Sequence, residues 1–222
     1  MVVKDCNFSV QKGEMIGLMG ESGSGKSTLA KLLIGLEKPS QGQVLLDGQP
    51  YSVKKSGVRI LLIFQDSLHS VNPNFTVEQV LTEALPKDVA REEIEAILED
   101  VGLDKSYLTQ PARQLSGGQL QRICIARGLL LKPDILIFDE ALSGLDPIVQ
   151  GRLLRLLYDL WEKYQLTYLF ISHDFKLSYA LCHRILVMAD GEIVDEIKDF
   201  ELPIQAHHHV TKKLIGDKGH FS

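Results

Sequence analysis

The chain has 222 residues, 45% of them apolar and 24% charged, with a formal net charge of −5. That length suits one large α/β domain, and the acidic balance argues against nucleic acid as a partner. No apolar run approaches the ~20 residues that span a bilayer and no signal peptide is evident, so a membrane role would work through other subunits.

In chain order, "NFSV" (7–10) reads as a strand and "QKGE" (11–14) as a turn. "MIGLMG" (15–20) is a short apolar run expected to be a buried strand, and "KSTLAKLLIGL" (26–36) has helical spacing, ending near Pro39. "GQVLLDGQ" (42–49) reads as a strand with a turn at Asp47 and Gly48, and "VRILLIFQ" (58–65) as a strand buried on both faces. From Asp66 to about Pro133 the texture is helical. "TVEQVLTEAL" opens on Thr76 as N-cap, "AREEIEAILEDVG" stops at Gly102, and "GGQLQRICIARGLLL" opens on Ser116. Then strand and helix alternate again. "DILIFDE" and "LTYLFISHD" are strands, "PIVQGRLLRLLYDLWEKY" and "FKLSYALC" are helices, and "RILVMADGEIVDEI" is a hairpin turning at Asp190 and Gly191. The expectation is a mostly parallel α/β core of residues 1–65 and 134–205, a helical subdomain at 66–133, and a short tail at 206–222.

The stretch "GESGSGKST" carries the phosphate-loop pattern at Gly20, Gly25, Lys26 and Ser27, with Glu21, Ser22, Gly23, Ser24 and Thr28 completing it. It lies between a predicted strand and a predicted helix, the context that confirms the motif. Glycines let successive N–H groups curl around an anion, and the helix N-terminus adds about half a positive charge. Lys26 would reach β- and γ-phosphates, and the Ser27 hydroxyl suits Mg²⁺. In "ILIFDE" an apolar strand ends in Asp139 and Glu140, and buried carboxylates need a reason. Asp139 suits a Mg²⁺ shell, and Glu140 would polarise an attacking water. Strand ends also carry Gln65 and, just beyond "LFIS", His173. Ligands of open parallel sheets bind beyond such ends.

"LSGGQLQR" (115–122) poses a different question. Two glycines in a first helical turn lower helix propensity by roughly 1 kcal/mol each, so something requires bare backbone there. Together with the strand ends, this stretch resembles the nucleotide-binding domain of an ABC transporter over nearly the whole chain. The matching parts are the Walker A loop (20–28), Q-loop Gln65, the signature Ser116, Gly117, Gly118 and Gln119, Walker B Asp139, catalytic-type Glu140, the D-loop with Ser143 and Asp146, and H-loop His173. The resemblance implies ATP and Mg²⁺ as cofactors, with Ser27, Gln65 and Asp139 serving the metal. It also implies a head-to-tail dimer with a second ABC ATPase subunit, identical or different, in which each signature faces the partner's ATP. Transmembrane permease subunits and, indirectly, a substrate-binding protein complete the expected assembly, with this subunit peripheral at the cytoplasmic face of the membrane.

"FQDSLHSVNPNFTV" and "DEALSGLD" are similar to the peptide/nickel importer subfamily, with the nickel importers nearest. A soluble ABC ATPase without a transport role is the alternative, but such proteins carry fused domains or long coiled-coil insertions. A hydrolysis-impaired half of a heterodimer is another, opposed by intact Glu140 and His173. Three departures stand out. The adenine-stacking aromatic usual upstream has no counterpart before Gly20, so either ATP loses on the order of 1 kcal/mol of stacking or the start is truncated. Gly144 replaces the usual D-loop alanine, and the C-terminal cysteine cluster of some relatives is missing. The three cysteines, Cys6, Cys124 and Cys182, read as reduced thiols. His207, His208 and His209 do not share one face of a helix or strand and read as a solvated tail segment.

Overall fold

The computed structural model describes residues 2–64, 70–85, 89–142, 146–198, 200 and 204–216. Among them, β1 (Met15–Gly20), β4 (Ile60–Phe64), β5 (Ile135–Asp139), β6 (Thr167–Ile171), β7 (Arg184–Ala189) and β8 (Glu192–Ile197) form one sheet. Its order is β4-β5-β6-β1-β7-β8. All neighbours are parallel except β7 and β8, which form the predicted hairpin. Asp190 and Gly191 both take positive φ at its turn, as a tight two-residue hairpin requires.

The parallel strands lack polar alternation because both faces are covered. Met15 and Met19 of β1, Leu136 and Phe138 of β5, and Tyr168 and Phe170 of β6 enter one apolar layer. Ile16 and Leu18, Ile137, and Leu169 and Ile171 enter the other. Successive side chains alternate between faces, and here each face meets helix or chain. Phe138 stacks on Phe170 with ring centroids 5.0 Å apart and meets Tyr168 edge-on at 5.2 Å.

Helix α1 (Lys26–Leu33) covers the second face with Leu29 and Ala30. Between β4 and β5 lie α3 (Val77–Thr82), α4 (Arg91–Asp100), two 3₁₀ turns (Lys105–Thr109 and Ala112–Gln114) and α5 (Gly117–Leu130). No strand occurs among the described residues of that stretch. Both predicted N-caps are made: Thr76 and Ser116 each accept from the backbone N–H three residues on and complete a capping box with a glutamine. Helix α6 (Pro147–Tyr164) follows Asp146, whose carboxylate caps it, and α7 (Phe175–Leu181) follows Asp174 in the same way.

Four expectations are corrected. Residues 7–10 form no strand: Phe8 and Val10 pack against the second layer while Asn7 and Ser9 face outward. Alternation there reflects packing, without a neighbouring edge to pair with. The stretch 42–49 contains only Leu45–Leu46 (β2), paired with Gln49–Pro50 (β3) across the predicted turn, and a four-residue helix α2 (Val53–Ser56) follows. Helix α1 stops at Leu33, and Gly35 at φ 74 turns the chain before Pro39. The tail is not wholly solvated, because His209–Ile215 form a helix, α8, with Val210 and Thr211 buried.

Candidate active site

The carboxyl ends of the central strands are level: Leu18 and Asp139 both pair with Ile171, and Gly20 pairs with Met188. A cleft of about 620 Å³ opens beyond them. Its walls bring together Gly20, Glu21, Ser22, Gly23, Gly25, Lys26, Ser27, Thr28, Asp139, Glu140 and His173. Gly25, at φ 108, begins α1 without a side-chain cap. A Cβ at Gly25 would lie 2.8 Å from the Val2 carbonyl oxygen, so only glycine lets the loop turn beneath this segment. The uncapped N–H groups of α1 therefore point into the cleft mouth as a preformed anion cradle.

Lys26 is 8% exposed. Its ammonium donates to the carbonyl oxygens of Gly20 and Glu21, both at 2.9 Å, and to Ser24 Oγ at 3.5 Å. Burial lowers its pKa, and the nearby Glu140 and Asp139 charges act in the opposite sense. Asp139 is shifted upward, first by burial and also by Glu140, while a hydrogen bond from Ser27 opposes the rise. A hydroxyl and a carboxyl side by side at an anion cradle are hard oxygen donors of the kind Mg²⁺ takes. Among the described residues no cluster of three or more His, Cys, Asp or Glu forms a metal cage. A cation here would thus complete its shell with water and phosphate oxygens, as Mg²⁺ commonly does.

Glu140 sits in the left-handed region at φ 53, a conformation that costs a non-glycine residue about 1 kcal/mol or more. Its N–H donates to the Ile171 carbonyl at 3.0 Å. Its carboxylate lies 3.0 and 2.9 Å from His173 Nδ1. An ionised carboxylate only accepts, so Nδ1 carries the proton and Nε2 is the nitrogen left for the cleft.

Residues 3–143 match the family described as ABC transporter. The chain belongs to that family. It is 42% identical over 206 residues to the nickel import ATP-binding protein NikE of Shigella dysenteriae, covering 87% of this chain and 77% of that one. It is 40% identical over 221 residues to the metal-staphylopine import system ATP-binding protein CntF of Staphylococcus aureus, covering 96% and 88%. Among solved structures it is similar to CbiO1 of Clostridium perfringens, part of the ABC transporter complex CbiONQ. That likeness has a TM-score of 0.79 at 27% identity over 88% of this chain and 81% of that one. It is also similar to the ATP-binding cassette MJ0796 in a dimeric post-hydrolysis state with ADP and phosphate. The TM-score is 0.73 at 27% identity, covering 89% and 90%. The chain is therefore an ABC ATPase, a nucleotide-binding and ATP-hydrolysing domain.

Not every predicted site residue of this ABC ATPase lies at the cleft. Ser116, Gly117, Gly118 and Gln119 start α5 elsewhere and do not line it, and neither does Asp146. Gln65 and Ser143 fall outside the described residues, as does Gly144. A Cβ on Gly117 would meet nothing within 4 Å, and one on Gly118 only Val149 at 3.9 Å. Gly128 in the same helix contrasts, since a Cβ there would press on Leu61 at 2.9 Å. Gly128 is small for packing, whereas the described residues give Gly117 and Gly118 no such cause.

Sequence reasoning missed the α8 wall of the cleft. Leu214 lines it, as does Val2, and Lys213 pairs with Glu21 at 2.5 Å. The spacing of Val210 and Leu214 was the available signal. It also missed Gln121, which is 5% exposed and donates to the carbonyl of Ala141 at 2.5 Å, tying α5 to the residue after Glu140.

Proposed function

We propose that this chain is the ATP-hydrolysing subunit of an ABC importer, peripheral to the cytoplasmic face of a membrane, powering uptake of nickel or a related metal complex. The observation that carries the reading is the convergence of Lys26, Ser27, Asp139, Glu140 and His173 on one cleft. The relatives named for nickel and metal-staphylopine import point to the cargo class.

In this reading the 20–28 loop and the α1 N-terminus hold the β- and γ-phosphates, with Lys26 turning its ammonium from backbone carbonyls to phosphate oxygens. Ser27 and Asp139, with Gln65, hold Mg²⁺, which supplies neutralising charge at the phosphates when bound. Glu140 orients and polarises the water that attacks the γ-phosphorus. The bond to the β,γ-bridging oxygen breaks, giving ADP and phosphate. His173, steadied by Glu140 through Nδ1, places Nε2 at the γ-phosphate. Catalysis is then mainly positioning and electrostatic stabilisation. Ser116–Gln119 serve the nucleotide of a second ATPase subunit, which accounts for two glycines that no packing among the described residues requires. Closure of that dimer would pull on permease subunits through the helical stretch between β4 and β5.

The test is to assemble the chain with its permease partners and add substrate-binding protein loaded with nickel, a chelated metal or an oligopeptide. Stimulated ATP hydrolysis with a metal-loaded protein is expected. Stimulation by peptide alone would overturn the cargo, and no stimulation or assembly would overturn the importer role.

A further inference from the structure

We propose that Tyr107 is a positioning residue for hydrolysis, holding the Gln119 amide so that the Ser116–Gln119 turn keeps the shape it presents to a second subunit's nucleotide. The inference rests on the reading of Ser116–Gln119 given above. Gln119 is fixed at both ends of its amide: Oε1 accepts from the Ser116 N–H at 2.8 Å, and Nε2 donates to the Tyr107 hydroxyl at 2.9 Å. The Ser116 hydroxyl in turn accepts from the Gln119 N–H at 3.3 Å.

The chain contains its own control. Thr76 and Gln79 make the same capping box at α3, with the Thr76 N–H donating to Gln79 Oε1 at 2.9 Å. Among the described residues no side chain takes the Gln79 amide nitrogen. The cap itself therefore does not need a phenol, and the added brace belongs to the turn with a nucleotide to meet.

Tyr107 is suited to the role. It stands on the 3₁₀ turn Lys105–Thr109, which is capped by Asp104 through the Ser106 N–H at 2.8 Å. Its neighbour Leu108 is 1% exposed and roots the turn in the core, against which the Tyr107 ring also packs. A tyrosine side chain has two torsions against three for glutamine, so the stiff, rooted group orders the more flexible one. Without the hydroxyl, Gln119 Nε2 would turn to water, and the box that sets the Ser116 hydroxyl and the Gly117 and Gly118 N–H groups would loosen.

Tyr107→Phe removes one oxygen and leaves the ring. In the chain assembled with its transport partners, kcat for Mg-ATP hydrolysis should fall about 3- to 10-fold, the range of one net hydrogen bond. KM for ATP should stay at the wild-type value, because the chain's own cleft is untouched, and the thermal midpoint should fall by no more than a few degrees, as loss of one hydrogen bond allows. A wild-type kcat would overturn the brace. A fall accompanied by a raised KM, or by a midpoint lowered by about ten degrees or more, would make Tyr107 merely structural and also overturn it. Ser116→Arg measured alongside separates the two ideas. If Ser116→Arg hydrolyses ATP normally, the signature reading fails. If it is inactive while Tyr107→Phe is normal, only the brace fails.

Discussion

At the scale of single residues, Glu140 is held where a base is useful and awkward to keep. Its left-handed φ aims the carboxylate at His173 and the cleft, and its N–H is tied to β6. Glu140→Gln keeps the shape and removes the proposed base. It should bind ATP with wild-type affinity and lose about 10²-fold or more in turnover, the usual scale for a general base. Equilibrium binding beside steady-state hydrolysis checks this, and wild-type turnover would exclude Glu140 from that role. Lys26 separates in the opposite sense. Its ammonium sits 2.9 Å from two loop carbonyls, ready to exchange them for phosphate oxygens. Lys26→Ala should weaken ATP binding itself by about 2–3 kcal/mol, the worth of hydrogen bonds to a charged group. Titration calorimetry reads this directly.

At the scale of elements, the start of α8 is hydrogen-bonded to the sheet through one carboxylate. Asp195 Oδ2 on β8 accepts from the His207 N–H at 3.1 Å, the His208 N–H at 2.8 Å and the Thr211 hydroxyl at 2.6 Å. Burial alone would raise the Asp195 pKa, but these three hydrogen bonds bring it below the ordinary value. A depressed carboxylate stabilises above its unfolded pKa and ceases to do so as pH falls through the folded one. The anchor is thus complete at neutral pH and fails only as the pH falls below the ordinary carboxylate range. Asp195→Ala should free α8 at neutral pH and speed tryptic cleavage after Lys212 and Lys213 while the sheet stays folded. Equal cleavage rates in variant and wild type would show that the helix is held otherwise. The elements also show what was legible beforehand. Strands buried on both faces and helices with side-chain caps announce themselves locally, so β1, β4–β8 and the caps at Thr76 and Ser116 could be read from residues in a row. The phosphate loop, Asp139, Glu140 and His173 were legible because each ends a readable strand or starts a helix. Helix α8 was not, since one apolar pair among histidines and lysines carries little pattern. Its contact with Glu21 spans 192 residues, and only the folded chain brings such partners together.

At the scale of the whole molecule, the cleft and the signature turn are both formed, yet they do not meet within one chain. The proposed two-fold dimer would resolve this by giving each phosphate loop the other subunit's Ser116–Gln119. Such an arrangement has a consequence that a self-contained site lacks. Ser116→Arg spoils only what a subunit offers its partner, so the variant should still bind ATP in its own cleft but fail to hydrolyse it. Lys26→Ala spoils only what a subunit offers its own nucleotide. If two copies of this chain pair, mixing the two inactive variants creates dimers in which one site combines intact Lys26 with an intact signature, while the other site holds both defects. Random pairing of an equal mixture makes about half the dimers mixed, so about a quarter of all sites are whole. Independent sites would then restore about a quarter of wild-type hydrolysis from two inactive proteins. Hydrolysis that requires both sites would leave the mixture inactive while ATP still drives dimer formation, as gel filtration would show. Activity in the Ser116→Arg variant alone would contradict the shared site, because one chain would then be enough to build it.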